Sequence, residues 1–345
     1  MIVWITLITY LLILKLILGK LTSDQKRKKF LLISSIPIIL VMGLRYPHYG
    51  VVYDLEVYYS FYNKSIELPL GLLFKSTRLE PGYVLFNKLL ATIIPWPQFI
   101  LFAVAIICVS AVSYFIYKNS RDPFLSVIFY VTLGTMMFQL TGFRQAIAMS
   151  ICLVSTEFIK KKELLNFLIL VFLACTFHKT AIVFFPFYYL ANRPKTLIHN
   201  FLSILVFIVS ILFAGSITQF GNELLDMNYG KYIGNKWGGL VPITIYVVAL
   251  ILSGINSKKI DDKLTFNMSF IGLTIYCMRY TTLALERISF FYTPGVIILL
   301  PNAIVKLRNI RLRSVLYLFA IILAISLFIY RLNSSEIGAY RFFWQ

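Results

Sequence analysis

The chain alternates long apolar runs with short polar or basic segments. Most of the apolar runs are about 16 to 21 residues long, the length of a helix that crosses a hydrocarbon core of roughly 30 Å. We therefore predict about twelve transmembrane helices, which lie approximately at residues 1–19, 30–46, 97–117, 123–141, 144–160, 163–177, 179–192, 196–216, 240–256, 264–280, 287–305 and 315–333.

The run from Tyr83 to Ile94 differs from the others because it is short and is bounded by Glu80-Pro81-Gly82 and Pro95-Trp96-Pro97. Counting it as a full span would place the basic segments Lys160–Lys162 and Lys306–Arg313 outside, against the positive-inside rule. We expect instead a re-entrant or interfacial helix on the outer side. Such backbone is tolerated only where protein or water covers it, as in the wall of a cavity.

The amino-acid composition also indicates an integral membrane protein. Of the 345 residues, 59% are hydrophobic and only 14% are charged, whereas soluble domains carry about a quarter charged residues. The expected fold is an all-α polytopic membrane protein, with residues 1–345 as a single integral membrane domain. Two long outer loops are expected at approximately 45–82 and 215–239, and loops of that length are commonly functional.

The formal net charge of +19 arises from basic clusters in the short segments between the predicted spans. This is the distribution that the positive-inside rule describes, so we expect contact with anionic membrane lipids and no nucleic-acid partner. The predicted cytoplasmic clusters are Lys20 with Lys26–Lys29, Lys118 with Arg121, Lys160–Lys162, Arg193 with Lys195, Lys258 with Lys259 and Lys263, and Lys306–Arg313.

Motifs for metal or nucleotide chemistry are missing from the sequence. It contains no phosphate-binding glycine loop, no His-Glu-x-x-His and no paired cysteines, because Cys108, Cys152, Cys175 and Cys277 each lie inside an apolar run. No cofactor and no metal site are therefore expected.

Eight ionisable residues fall on the predicted outer side, near the ends of apolar runs. A charged group near hydrocarbon costs several kcal/mol, so membrane proteins usually retain such residues for a function. Their shared side predicts one site at the outer face, drawn from Arg45, Asp54, Glu80, Arg144, His178, Arg279, Glu286 and Arg287.

The arginines suit an anionic ligand, because a planar and permanently charged guanidinium matches a phosphate or diphosphate. Arg144 follows Gly142 at a predicted outer turn, and Arg279 and Arg287 bracket a later one. The alternatives are arginines that extend toward the membrane interface, or an internal pair of Glu286 with Arg279 or Arg287.

His178, Asp54 and Glu80 are the candidate proton-transfer groups. A neutral imidazole can take a proton from a hydroxyl, as can a carboxylate held against apolar walls. The structural alternatives are a histidine satisfied by a backbone carbonyl and a carboxylate that caps a helix, which Glu80 before Pro81 could do.

Several of these residues lie in ordered motifs: Arg45 with Asp54, Glu80-Pro81-Gly82-Tyr83, Phe143-Arg144-Gln145-Ala146-Ile147-Ala148 and Phe177-His178-Lys179-Thr180. In this combination the chain resembles the EpsG/Wzy family of bacterial O-antigen, capsule and exopolysaccharide polymerases. The resemblance implies a GT-C-like, metal-independent glycosyltransferase of the cytoplasmic (inner) membrane. It would join undecaprenyl-diphosphate-linked oligosaccharide repeat units, as donor and acceptor, at the periplasmic or outer face. A chain-length regulator is a further candidate partner.

Combined with the arginine pattern, this resemblance leads to a mechanistic hypothesis. Arg144, with Arg279 or Arg287, would bind the departing diphosphate, and Arg45 would orient the phosphates or pair with Asp54. His178, Asp54 or Glu80 would deprotonate the acceptor hydroxyl. The alternatives are a flippase, which the nearly uncharged midplanes of the predicted spans disfavour, and an O-antigen ligase or membrane acyltransferase, with which the composition is compatible.

Overall fold

The computed structural model describes residues 1–47, 53–192, 240–256, 263–280, 284–334 and 338–345, together with isolated positions between 205 and 223. The side chains of Tyr53, Asp54, Asn256 and a few others at helix ends lie outside this description. The chain divides into two compact units. Unit 1 comprises Met1–Ser155, Ile169–Ala181 and Leu318–Gln345, and unit 2 comprises Thr156–Leu168 and Ile182–Tyr317.

Within the described ranges the secondary structure is helical, apart from one isolated antiparallel bridge between Arg45 and Phe342. The α-helices are α1 (Ile2–Leu18), α2 (Asp24–Gly43), α3 (Tyr53–Glu67), α4 (Leu70–Ser76), α5 (Pro81–Ile93), α6 (Phe99–Asn119), α7 (Pro123–Thr132), α8 (Thr135–Gln139), α9 (Phe143–Lys161), α10 (Leu164–Phe177), α11 (Phe187–Leu190), α12 (Leu240–Asn256), α13 (Lys263–Cys277), α14 (Ala284–Ser289), α15 (Pro294–Val305) and α16 (Ile310–Asn333). Two 3₁₀ segments cover Lys179–Phe184 and Met278–Tyr280.

The all-α prediction is confirmed for these residues. Helices α6 and α16 are long and apolar enough to cross a membrane, and α1, α7, α10, α12 and α15 are shorter apolar helices. The count of about twelve spans stays a prediction, as does the single-domain assignment. The predicted span 196–216 and the predicted outer loop 215–239 lie outside the described residues, except for isolated positions.

Three predicted spans are interrupted. The run 123–141 divides into α7 and α8 at Gly134, whose φ of +106° is a conformation that residues with a Cβ rarely adopt. The run 179–192 is a 3₁₀ segment followed by the four-residue helix α11, which begins after Pro186. The run 287–305 contains α14 and α15, with Pro294 as the first residue of α15. Hydropathy is continuous across these breaks, so it does not reveal them.

The predicted outer loop 45–82 contains helices, and its position on the outer side stays a prediction. It contains α3 and α4, and the buried residues Leu55, Tyr58 and Tyr62 occupy one face of α3. Their spacing of three and four residues gives α3 an apolar face that packs on Tyr83 and Val84 of α5. Helix α5 coincides with the predicted outer helix, and its re-entrant or interfacial position stays a prediction.

Helices α2 and α6 pack side by side, and different contacts lie at the two ends of this helix pair. At the basic end, Arg27 Nη2 donates to the carbonyls of Ser120 (2.5 Å) and Tyr117 (3.1 Å), near the predicted cytoplasmic clusters. At the Arg45 end, Gln98 Nε2 donates to the carbonyls of Gly43 (2.7 Å) and Arg45 (2.9 Å). Arg45 and the first basic cluster therefore occupy opposite ends of the unit.

In unit 2, α15 packs against α12 and α13. Tyr246 of α12 donates to Thr293 Oγ1 (3.1 Å), and Tyr292 donates to the carbonyl of Val183 (2.5 Å). The rings of Phe184 and Phe187 surround Tyr292. These contacts fix the segment that precedes α15.

Candidate functional site

Glu80 and Arg144 form a short ion pair in unit 1, with 2.5 Å between Glu80 Oε2 and Arg144 Nη1. Glu80 precedes the first residue of α5, and its backbone carbonyl accepts the amides of Tyr83 and Val84. Its carboxylate makes no capping hydrogen bond and pairs with Arg144 instead. The side chain of Glu80 is only 6% exposed, whereas that of Arg144 is 27% exposed and remains within reach of a ligand.

A third segment completes this contact. The backbone amide of Lys179 donates to Glu80 Oε1 at 3.4 Å, at the long end of the hydrogen-bond range. A Cβ atom on Gly82 would lie 2.8 Å from the carbonyl oxygen of Thr176, so only glycine permits this approach. The Glu80-Pro81-Gly82, Phe143-Arg144-Gln145 and Phe177-His178-Lys179-Thr180 segments thus meet at one point.

Aromatic rings separate Arg144 from Arg45. The Arg144 guanidinium carbon lies 6.0 Å from the ring centre of Tyr58, and that of Arg45 lies 6.0 Å from the ring centre of Phe143. Tyr58 and Phe143 stack on each other, with 5.1 Å between centroids and 11° between planes. Two guanidinium groups therefore flank one stacked pair, an arrangement that cation–π attraction favours.

Arg45 itself is buried, and its Nη2 donates to the carbonyl of Leu140 in the turn before α9. Gln98 binds its backbone carbonyl, so the residue is held from both sides. The expected pairing of Arg45 with Asp54 falls on a side chain outside the described residues. The structure thus places Arg45 against the turn that carries Arg144.

His178 is buried, and its Nδ1 atom faces Thr180. The Thr180 backbone amide lies 3.3 Å from Nδ1, and the Thr180 hydroxyl lies 2.9 Å from it. A backbone amide can only donate, so Nδ1 is the acceptor and the proton of the neutral imidazole is on Nε2. Nδ1 is therefore bound by the amide and the hydroxyl of Thr180. A backbone carbonyl as partner of the other ring nitrogen, and the catalytic role of His178, stay predictions.

Polar atoms without partners surround the stacked pair. Among the described residues, Arg45 Nε, Arg144 Nε and the Tyr83 hydroxyl are buried and make no hydrogen bond. Each is a donor, and a buried unsatisfied donor costs about 1–3 kcal/mol. By contrast, the Tyr62 hydroxyl donates to the carbonyl of Ile94 (2.9 Å), and burial raises the pKa of Tyr62 to about 12. Orphaned donors suit a ligand rich in acceptor oxygens.

Arg279 is paired within unit 2. Its Nε lies 3.1 Å from Glu286 Oε2, and its Nη1 donates to the Tyr276 hydroxyl (2.9 Å). This is the internal pair that the sequence offered as an alternative to diphosphate binding. The side chain of Arg287 is exposed. A convergence of Arg279 and Arg287 with Arg144 stays a prediction.

Across the described part of the chain, no three His, Cys, Asp or Glu side chains are grouped to hold a metal ion.

The sequence pattern assigned no role to Phe143, Thr180 or Gln98, which contact the candidate residues Arg45, Arg144 and His178. Phe143 and Thr180 each lie within two residues of a candidate, and that proximity was the available signal. Gln98 carried none.

The EpsG family model matches residues 28–344. Because this is nearly the whole chain, the protein belongs to the EpsG family, a family of Wzy-like polymerases. Comparison with curated proteins and with solved structures gives no match. Membership indicates a membrane protein with a polysaccharide polymerase-like function.

Proposed function

We propose that this protein polymerises oligosaccharide repeat units carried on undecaprenyl diphosphate, at the outer face of the cytoplasmic membrane. Family membership supports a glycosyltransferase-like polymerase. The finer assignment rests on one observation, the meeting of Glu80, Arg144 and the Lys179 amide. Three segments of the chain, up to 99 positions apart, contribute to this single polar contact.

In the proposed reaction, a hydroxyl oxygen of the acceptor sugar attacks the anomeric carbon of the donor. The bond from that carbon to the diphosphate oxygen breaks, and undecaprenyl diphosphate leaves with the electron pair. The hydroxyl proton passes to a base. No nucleotide is needed, because the diphosphate is already a good leaving group.

Arg144 is the residue best placed to stabilise the leaving diphosphate. It is preorganised by Glu80 and Tyr58, and it keeps one orphaned N–H and partial exposure. Fixed charge in a partly dry site lowers the energy of a developing anion, and loss of one such group typically costs about 100- to 1,000-fold in rate. Arg45, with its own orphaned Nε, orients the phosphates from the other side of the stacked pair.

Glu80 acts chiefly as a positioning residue, because its carboxylate is committed to Arg144. The base is then His178 or Asp54. If His178 takes the proton, it must do so at Nδ1 after releasing Thr180, or after a change of tautomer. Otherwise Asp54 is the base.

The test is polymerisation by the purified protein, supplied with purified lipid-linked repeat units. We expect a ladder of graded products from the wild type and almost none from Arg144→Ala. Arg144→Lys should retain a small fraction of activity, because an ammonium group lacks the planar fork. Normal ladders from both Arg144→Ala and His178→Ala at normal expression would contradict the assignment.

The same assay separates the rival functions. Movement of single lipid-linked units across liposome membranes, without oligomers, would indicate a flippase. One transfer of a finished glycan to a different lipid would indicate a ligase. Lipid-linked oligomers of graded length support the polymerase.

A further inference from the structure

The segment Tyr340–Trp344 forms a strip beside Arg45, and it turns at Phe343 and Trp344, where the Gln345 amide donates to the Phe342 carbonyl (3.1 Å). The Tyr46 amide donates to the carbonyl of Arg341 (2.8 Å), and the Phe343 amide donates to the carbonyl of Leu44 (2.9 Å). These bonds flank the bridge between Arg45 and Phe342. The strip is thus joined by backbone hydrogen bonds to the residues that carry one of the candidate arginines.

Alternate side chains of the strip form a row of aromatic rings. Tyr340 and Phe342 meet edge to face at 5.1 Å, and Phe342 and Trp344 stack at 4.5 Å with 13° between planes. Phe343 contacts Trp344 edge to face at 4.9 Å and also contacts Trp96 at 5.5 Å.

The row runs from a buried end to an exposed one. Tyr340 contacts Trp4 at 5.6 Å and donates to the carbonyl of Val41 (3.0 Å), so its ring is fixed. Trp344, at the other end, is 59% exposed. An indole that is held by stacking but remains exposed is a rigid surface, and little side-chain entropy is lost when a ligand covers it.

A sugar ring is the ligand that fits such a surface. Its C–H groups pack on the aromatic face while its hydroxyls stay hydrated or reach nearby donors, which an amphipathic ring such as indole accommodates. The ordinary alternative is an aromatic residue at the membrane interface. Two observations favour a ligand: the indole is already stacked on Phe342, and Phe342 lies opposite Arg45, whose Nε is an orphaned donor.

We propose that Phe342 and Trp344 form a stacking subsite for a sugar ring of the glycan, beside the Arg45 end of unit 1. The proposal rests on the proposed function, because it assigns this surface to the glycan and the arginines to the diphosphate. It makes a separable claim: binding of sugar depends on Trp344, and binding of lipid diphosphate does not.

The experiment measures binding by calorimetry on the purified full-length protein in detergent, with two probes. One probe is an oligosaccharide of one to three repeat units cut from the host strain's own polysaccharide, and the other is sugar-free undecaprenyl diphosphate. We expect Trp344→Ala to weaken oligosaccharide binding about three- to tenfold, the contribution of one stacked ring. Trp344→Phe should retain most of the affinity, and undecaprenyl diphosphate should bind all variants equally.

Two further variants isolate the aromatic face. Trp344→Leu keeps apolar bulk and removes the π-face, so it should lose affinity as Trp344→Ala does. Tyr330→Ala is the matched control, because Tyr330 is a 70% exposed aromatic residue on α16 of the same unit. It should bind both probes like the wild type.

Unchanged oligosaccharide affinity in Trp344→Ala and Trp344→Leu overturns the proposal. Equal loss for both probes, or the same loss in Tyr330→Ala, overturns it as well. Because binding is measured without turnover, failure of the wild type to polymerise would reject the proposed function alone. A Trp344-dependent oligosaccharide site would then still stand.

Discussion

Two Arg–Glu ion pairs, one in each unit, consist of the same residue types but differ in sequence separation, contact distance and exposure. In unit 2, Arg279 and Glu286 are close in sequence, their contact is 3.1 Å, and the arginine is the more buried partner, with 11% of its side chain exposed against 28% for Glu286. In unit 1, Glu80 and Arg144 are 64 positions apart, their contact is 2.5 Å, and Glu80 is 6% exposed. Both arginines also lie over a tyrosine ring.

The sequence separation within each pair shows whether a local turn or the packing of distant helices brings its two charges together. A pair between near neighbours in sequence forms whenever the local turn forms. The Glu80–Arg144 pair forms only when α5, α9 and the turn after α10 are assembled. A buried carboxylate without its partner is costly, so the pair makes Arg144 rigid and ties the three segments together.

The largest difference is expected in activity. Arg144→Ala should reduce polymerisation by about 100-fold or more, because it removes a fixed charge from the departing diphosphate. Arg279→Ala should reduce it less, because the Arg279 side chain is only 11% exposed, against 27% for Arg144, and is therefore less accessible to a ligand. The measurement is initial rate with purified lipid-linked units at matched protein concentration. Equal losses would show that the two pairs contribute alike.

A double-mutant cycle on each pair should give the next largest contrast. We expect a coupling energy of about 1.5–3 kcal/mol for Glu80 with Arg144, since one partner is buried. For Arg279 with Glu286 we expect a smaller coupling energy of about 0.5–1.5 kcal/mol, because the Glu286 carboxylate is 28% exposed and its contact with Arg279 is longer. Stability is read from thermal unfolding in detergent, with Glu80→Gln and Glu286→Gln as the carboxylate variants. Similar coupling in both units would remove the distinction.

Gly82→Ala tests the packing that brings the unit 1 segments together. The new Cβ would approach the Thr176 carbonyl oxygen to 2.8 Å, and such overpacking costs about 1–3 kcal/mol. Its controls are Gly71→Ala in unit 1 and Gly254→Ala in unit 2, where the Cβ would enter open space. These controls should be neutral or slightly stabilising in the same unfolding assay. A stable and active Gly82→Ala would show that the turn is not closely packed.

Arg287→Ala should have the smallest effect. Its side chain is exposed, and substitutions of exposed residues usually change stability by less than about 0.5 kcal/mol. Activity should fall less than in Arg144→Ala. A rate loss as large as that of Arg144→Ala, with unchanged unfolding, would place Arg287 at the diphosphate after all.

The sequence predicted some features of the fold and of the candidate site, and the structure supplied others. Apolar runs, basic clusters and the Glu-Pro-Gly, Phe-Arg-Gln and Phe-His-Lys-Thr motifs were sufficient for the helical membrane class and the family. They did not predict the helices in 45–82, the break at Gly134 or the pairing of residues 44–46 with 341–343. Hydropathy reports the average environment of a run, whereas breaks and bridges depend on single backbone conformations and distant partners.

The sequence by itself determined which residues carry charge near the ends of apolar runs, because hydrophobicity and helix length are local properties. Only the tertiary structure decided that Glu80 holds Arg144 and leaves α5 uncapped, and that Phe342 and Trp344 lie beside Arg45. Those contacts join segments whose approach depends on how helices pack, and packing is settled by the shapes of many side chains at once.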